Sequence, residues 1–150
     1  MSELYFESPL AHRNAPEGLS IDLREIKDRG MVDLRGIDSD KKFMAAAKKV
    51  LGLDLPKTPR SSVSWGDVKA LWLSTDQWLV LCPANKLPEL MASFTTALEG
   101  LHALAVDVSD MRSVIRLEGD DARTLLLKGS SLDLLGPDYA AGTVRRMRFA

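Results

Sequence analysis

The sequence predicts an α+β fold, an antiparallel or mixed sheet with helices on one face, and three observations carry that expectation. Short apolar runs of strand length come in pairs, such as residues 68–73 and 78–82. Single stretches of helical periodicity, bounded by capping residues and glycines, separate the pairs. The 150 residues are 45% hydrophobic and 27% charged, an ordinary balance for one globular domain or two small fused halves.

Residues 1–18 carry Ser8-Pro9-Leu10-Ala11-His12 and then Pro16 and Gly18, a composition suited to an extended arm that orders by lying on something. Residues 19–150 then form a single α+β domain. From Leu19 the pattern has period two, with Leu19, Ile21 and Leu23 opposite Ser20, Asp22 and Arg24, which predicts a half-buried strand. A second strand over 31–34 follows a turn at Asp28-Arg29-Gly30.

Asp38 or Ser39 caps a helix in which Phe43, Ala46, Ala47, Val50 and Leu51 recur at helical spacing, with Lys41, Lys42, Lys48 and Lys49 on the wet side and Gly52 at the end. Residues 53–66, with Pro56, Pro59 and three serines, read as a loop. The apolar runs 68–73 and 78–82 flank the polar turn Ser74-Thr75-Asp76-Gln77 as a hairpin, which Pro83 stops.

Asn85 caps a second helix striped with Leu87, Leu90, Met91, Phe94, Ala97, Leu98 and Leu101, with Gly100 at its end. Residues 103–108 and 113–117 read as another strand pair turning at Ser109-Asp110-Met111-Arg112. A third helix opens at Gly119-Asp120-Asp121, runs through Leu125, Leu126 and Leu127, and closes at Gly129. After an irregular stretch over 130–142, residues 143–149 read as a further strand. The alternation of strand pairs with single helices predicts two related halves in the manner of ferredoxin-like units.

Twenty Lys and Arg against 21 Asp and Glu leave a net charge of −1, so no global field draws the chain to nucleic acid or to an anionic membrane. One cysteine, Cys82, excludes an intrachain disulfide, and with only His12 and His102 beside it no metal-ligand spacing is present. No apolar run approaches the roughly 20 residues that span a bilayer, and the N-terminus lacks the basic start of a secretion signal, so a cytoplasmic location is expected. Phosphate-loop, dinucleotide, serine-hydrolase and zinc-protease motifs are absent.

Asp107, Asp110, Glu118, Asp120 and Asp121 cluster in sequence, but the last two fall at a helix start, where carboxylates are favoured by the exposed amides. His102 follows a helix C-terminus, which favours a cationic imidazole, and His12 lies in the N-terminal arm with no carboxylate or nucleophile placed beside it by the pattern, so neither reads as a lone catalyst. Cys82 ends an apolar strand and reads as a buried thiol. Arg145, Arg146 and Arg148 invite a phosphate-site reading, yet strand alternation splits them between two faces, which favours a solvated or partner-facing edge.

Both faces of the 68–82 hairpin are apolar, since Val68, Ala70 and Trp72 alternate with Lys69, Leu71 and Leu73, and Trp78, Val80 and Cys82 with Leu79 and Leu81. A two-layer fold covers one face of its sheet with helices, so either the rest of the chain or a protein partner must cover the other. Trp65, Trp72 and Trp78 fit both accounts.

Several segments occur in an order that points to one family: Ser8-Pro9-Leu10-Ala11-His12, Ala70-Leu71-Trp72-Leu73, Asp76-Gln77-Trp78-Leu79-Val80-Leu81, Val106-Asp107-Val108-Ser109-Asp110 with Arg112, Arg116-Leu117-Glu118-Gly119, and Leu127-Lys128-Gly129 before Leu132-Asp133-Leu134. In these the chain resembles the gamma subunits of heterotetrameric sarcosine oxidase. The resemblance implies a fold similar to the folate-binding domains of aminomethyltransferases. It also implies membership of a complex that oxidises sarcosine to glycine and hydrogen peroxide and passes the one-carbon unit to tetrahydrofolate.

FAD, FMN, NAD, the folate site and zinc are implied in the alpha, beta and delta partners, and none in this chain. Ser130 stands where many relatives have cysteine, and relatives continue through further strands beyond position 150, so an incomplete second half is expected. The leading expectation is a structural subunit without catalytic, cofactor or metal residues of its own. Its interface residues would be Ser8, Pro9, Leu10, His12, Trp72 and Trp78, with Asp107, Ser109 and Arg112 as a turn fixing a register between strands or chains. The alternative is a free-standing folate-dependent aminomethyltransferase-like module, with Asp107 or Glu118 binding the pteridine.

Overall fold

A computed structural model describes residues 7–8, 10–12 and 20–149. In chain order its elements are β1 (Asp22–Ile26), β2 (Arg29–Arg35), α1 (Lys41–Leu51), β3 (Ser62–Trp65), β4 (Val68–Ser74), β5 (Gln77–Pro83), α2 (Leu87–Ala97), β6 (Leu104–Asp107), β7 (Val114–Glu118) and α3 (Ala122–Leu127). The main sheet has five antiparallel strands in the order β3-β4-β5-β2-β6, and β1 pairs with β7 as a separate ribbon. The run β2-α1-β4-β5-α2-β6 is one complete ferredoxin-like unit, with β3 added outside β4. The second unit is represented among the described residues by the β1–β7 ribbon and α3.

The cap of α1 is Asp40, whose carboxylate accepts from the amides of Lys42 at 2.8 Å and Phe43 at 3.3 Å. Phe43, Ala47 and Leu51, four apart, are the residues this helix buries. Gly52 closes it at φ 70 with its amide on the Lys48 carbonyl at 2.9 Å, a conformation that a Cβ would disfavour. The chain enters α2 through a 3-10 turn at Ala84–Lys86, so Asn85 lies inside a turn and caps nothing.

The core lies between the sheet and the two longer helices. Val32 and Leu34 of β2, Ala70 of β4, and Trp78 and Val80 of β5 meet Phe43, Ala47 and Leu51 of α1 and Phe94 and Leu98 from α2 and its end. Leu53 and Leu55, just after α1, close the same cluster.

Several sequence expectations need correction. The first strand begins three residues later than the alternation suggests, at Asp22, and Leu19 lies outside the described residues. Residues 103–108 and 113–117 do not pair with each other: β6 adds to the free edge of β2, whereas β7 pairs with β1 in the register Asp22↔Glu118 to Ile26↔Val114. Period-two alternation identifies a strand but carries no information about its partner. The Val108 amide bonds the Met31 carbonyl at 2.9 Å and a 3-10 turn at Ser109–Met111 follows, which ends β6 before a hairpin can form.

The expected loop over 53–66 contains β3, hidden by its serines and flanking prolines. Residues 143–149 form no strand; the Thr143 amide bonds the Ala140 carbonyl at 3.1 Å, and the Val144 amide ties the segment to the Arg60 carbonyl at 2.7 Å.

The second face of the hairpin carries Leu71, Leu73, Leu79 and Leu81, all half-buried. Ile26, Val114 and Ile115 of the ribbon share a cleft with Lys69 and Leu81 at one end. Val144 and Arg146 lie beside Leu73 at the other, with the Arg146 guanidinium on the Gln77 side chain at 3.2 Å. The chain itself therefore covers part of this face.

Candidate interface site

β6 pairs one of its edges with β2 through Val32↔Asp107 and Leu34↔Ala105, and its other edge has no strand neighbour among the described residues. Alternation sets Leu104 and Val106 on the face away from the helices, 53% and 40% exposed. Ile37, 51% exposed, shares with Leu104 a shallow cleft of about 320 Å³ that also includes Arg35, Asp76 and His102. Within it, the Ser74 hydroxyl and the Arg35 guanidinium 3.7 Å away hold Asp76 below the ordinary carboxylate range. An apolar edge strand rimmed by charge is a surface that soluble chains ordinarily cover. The signal for it in sequence is that residues 104–106 are apolar without interruption.

The polar turn after β6 works within the chain. Asp107 Oδ1 accepts from the Ser109 amide at 2.9 Å and from its hydroxyl at 2.6 Å, and the Ser109 Oγ accepts from the Met31 amide at 3.0 Å. The turn thus locks β6 to β2 one residue beyond their ladder. Arg112 is exposed and lines a separate cleft with Glu25, Arg29 and Asp110.

Trp78, expected at an interface, is fully buried in this chain's own core, where its ring centroid lies 5.7 Å from that of Phe43. A side chain with no accessible surface cannot meet a partner, so that expectation is corrected. Trp72 is half-buried against the same core, and Trp65 is 70% exposed on β3.

Ser8 is 93% buried as it stands at 7% exposure, and its hydroxyl bonds Glu25 of β1. The Ala11 amide returns to the Ser8 carbonyl at 3.0 Å, a turn where the composition suggests extended chain. Leu10 is half-buried, His12 is exposed with its Nε2 2.5 Å from Glu7, and Pro9 lies outside the described residues.

Cys82, Glu118 and Asp107 are each engaged within the chain. Burial pushes the Cys82 thiol up, the opposite of what a nucleophile needs. Glu118 is bonded by Arg116 at 2.5 Å and by Arg24 at 2.7 Å, and the Arg116 bond foremost holds its carboxyl below the usual range. Asp107 likewise accepts two bonds on its Oδ1, so both acids weighed for the pteridine are engaged within the chain. Among the described residues no group of three His, Cys, Asp or Glu side chains is placed to hold a metal, and no helix is long and apolar enough to cross a membrane.

Residues 35–150 match the family model described as sarcosine oxidase, gamma subunit family. Sarcosine oxidase subunit gamma of Corynebacterium sp. (strain P-1) is 33% identical over 118 residues, which is 77% of this chain and 56% of that relative. The chain thus spans little more than half the length of that relative. A chain of heterotetrameric sarcosine oxidase from Corynebacterium sp. U-96, solved in complex with pyrrole 2-carboxylate, matches 96% of this chain and 76% of its own length with a TM-score of 0.83 at 25% identity. Aminomethyltransferase T of the glycine cleavage system from Bartonella henselae shares the fold, with a TM-score of 0.58 over 73% of this chain and 32% of its own at 13% identity.

Proposed function

Because the chain belongs to the sarcosine oxidase gamma subunit family, we propose that it is a structural, non-catalytic subunit of a heterotetrameric sarcosine oxidase. In that complex, alpha, beta and delta subunits would hold FAD, FMN, NAD, tetrahydrofolate and zinc. They would carry out the oxidative demethylation of sarcosine to glycine, with hydrogen peroxide and methylenetetrahydrofolate as products. The proposed location is the cytoplasm.

The observation that carries this reading is the exposed apolar edge of β6, where Leu104 and Val106 stand outside the chain's own core while Cys82 is buried and Asp107 and Glu118 are hydrogen-bonded to neighbours in the same chain. Burying such an edge favours association by about 25 cal/mol per Å² of apolar surface, and a strand with an unpaired side offers backbone bonds as well. Leu10, His12, Trp72 and Arg112, which are at least partly accessible, are proposed as further contacts.

Native mass measurement after co-expression with the other three subunits tests the proposal. One copy of this chain in a four-subunit assembly is the expected result, and Leu104→Asp should release it. A monodisperse isolated chain that binds tetrahydrofolate at micromolar concentration and turns over an amine unaided would replace this reading with the free-standing transferase one.

A further inference from the structure

We propose that the cleft between residues 60–62 and the segment 139–146 is the docking site for an extended, carboxylate-bearing segment of a partner subunit, an inference that rests on the interface reading above. Two adjoining hollows of about 380 and 400 Å³ share Arg60 and Arg145 in their walls. Arg146 lines the first of them, beside an apolar floor that includes Trp72, Leu73 and Leu132. Three arginines thus line one concave surface of a chain whose net charge is −1, with the Arg146 guanidinium also donating to the Gln77 side chain at 3.2 Å.

What sets these three arginines apart is that they line the same cleft and that, unlike Arg24 and Arg116, which meet Glu118, and Arg35, 3.7 Å from Asp76, they form no ion pair among the described residues. Asp138 lines the second hollow without reaching a guanidinium at ion-pair distance. The Arg145 Nε is buried with no hydrogen-bond partner, a donor taken from water without replacement. Its guanidinium lies 5.2 Å from the centre of the Tyr139 ring, which orients the fork beside the cleft.

The two walls are tied together by the Val144 amide on the Arg60 carbonyl at 2.7 Å and by the Ser62 hydroxyl on the Gly142 carbonyl at 2.8 Å. Arg60 itself is held at φ 66, the left-handed region that a non-glycine residue adopts only when its surroundings impose it.

Arginine is the side chain that pairs carboxylates through two parallel bonds, and an apolar floor beside such forks suits a peptide alternating acidic with apolar residues. A nucleic acid would need a longer cationic stripe tracking successive phosphates, which a patch of three does not offer. Charge complementarity therefore selects an acidic protein segment as the occupant.

The test is made on the four-subunit complex, by measuring the affinity of the chain for the other three subunits at low and moderate salt. The double variant Arg60→Ala, Arg145→Ala is expected to bind at least about tenfold more weakly at low salt, with a shallower salt dependence. Arg60→Lys with Arg145→Lys keeps the charge and is expected to keep the salt dependence while losing part of the affinity. If the alanine pair unfolds the chain, Arg60→Gln decides alone, since this exposed side chain leaves no hollow in the core, and it is expected to weaken binding about threefold or more.

Unchanged affinity and salt dependence in the alanine pair, with the wild type assembling normally, overturns the cleft as a docking site and leaves the interface reading intact. A wild-type chain that fails to assemble overturns both. Self-association of the chain that the alanine pair abolishes gives the cleft to a second copy and also overturns the proposal.

Discussion

The Trp78 Nε1 donates a hydrogen bond to the carbonyl of Pro56 at 2.8 Å, inside a core where the indole has no exposed surface. The bond solves two problems at once. It satisfies the one polar atom of a large buried ring, and it anchors the proline-containing segment after α1 to the start of β5. Trp78→Ala is expected to destabilise the folded chain by about 3–5 kcal/mol, read from the shift of its urea midpoint. Trp78→Phe keeps most of the packing but strands the Pro56 carbonyl, so a smaller loss, about 1–3 kcal/mol, is expected. An unchanged midpoint in Trp78→Ala would contradict the placement of the ring in the core.

Ser109 makes three hydrogen bonds across one turn, its hydroxyl oxygen accepting from the Met31 amide while its own amide and hydroxyl donate to Asp107. Ser109→Ala should leave the Met31 amide without its acceptor and cost about 1–2 kcal/mol. The diagnostic readout is local: hydrogen exchange at Met31 and along β6 should accelerate more than in β4 or β5. Uniform acceleration across the sheet would mean that the turn contributes only to global stability and does not set the β2–β6 register.

How far the sequence reveals the fold follows from how far apart the deciding residues are. α1 is legible because its cap, its buried stripe and Gly52 lie within about a dozen positions, and even there the cap is Asp40, one residue beyond the two expected. The hairpin of β4 and β5 is legible for the same local reason. The partners of β6 and β7 are not, because those pairings connect residues 69 to 96 positions apart and every candidate strand alternates in the same way.

The site follows the same rule. Asp107 and Ser109 can be picked out as a turn that fixes a register, but the strand it fixes, at Met31, is visible only in three dimensions. The pairing of Arg60 with Arg145 across one cleft has no sequence signal at all, since 85 positions separate them and Arg60 sits in a stretch that reads as loop. Trp78 was ambiguous in sequence for a physical reason: a tryptophan on a strand with apolar neighbours on both faces suits a core and an interface equally well.

Cys82 packs against Gly30, with its thiol 3.8 Å from the Gly30 carbonyl, and burial is the main cause that raises its pKa. A Cβ at position 30 would lie 2.9 Å from the Leu87 Cβ and 3.0 Å from the Cys82 sulfur, so the three residues fill one another's space. Alkylation of Cys82 in the folded chain is expected to be slow and to become rapid only in denaturant. Gly30→Ala, by forcing α2 or the thiol aside, should lower stability by about 1–3 kcal/mol and speed alkylation in parallel. Fast alkylation of the untouched chain under native conditions would contradict the buried placement of the thiol.

The β1–β7 ribbon carries the carboxylate whose titration should be felt when the ribbon opens. Glu118 is held by Arg116 foremost and by Arg24 across the strand pair, both acting to keep it ionised. Its pKa in the folded chain therefore lies below the ordinary value of 4.5, and ionised Glu118 favours the paired ribbon at any pH above that value. As the pH falls below about 4.5 and through the folded value, the carboxylate takes a proton and that contribution disappears. Hydrogen exchange in β1 and β7 should accordingly rise on acidification through this window. Glu118→Gln should show the faster exchange already at neutral pH, with a flatter response to acid. Added salt should weaken the contrast, because the group is exposed and its ion pairs are screened. A pH response of the ribbon that is identical in wild type and Glu118→Gln would show that another group governs its opening.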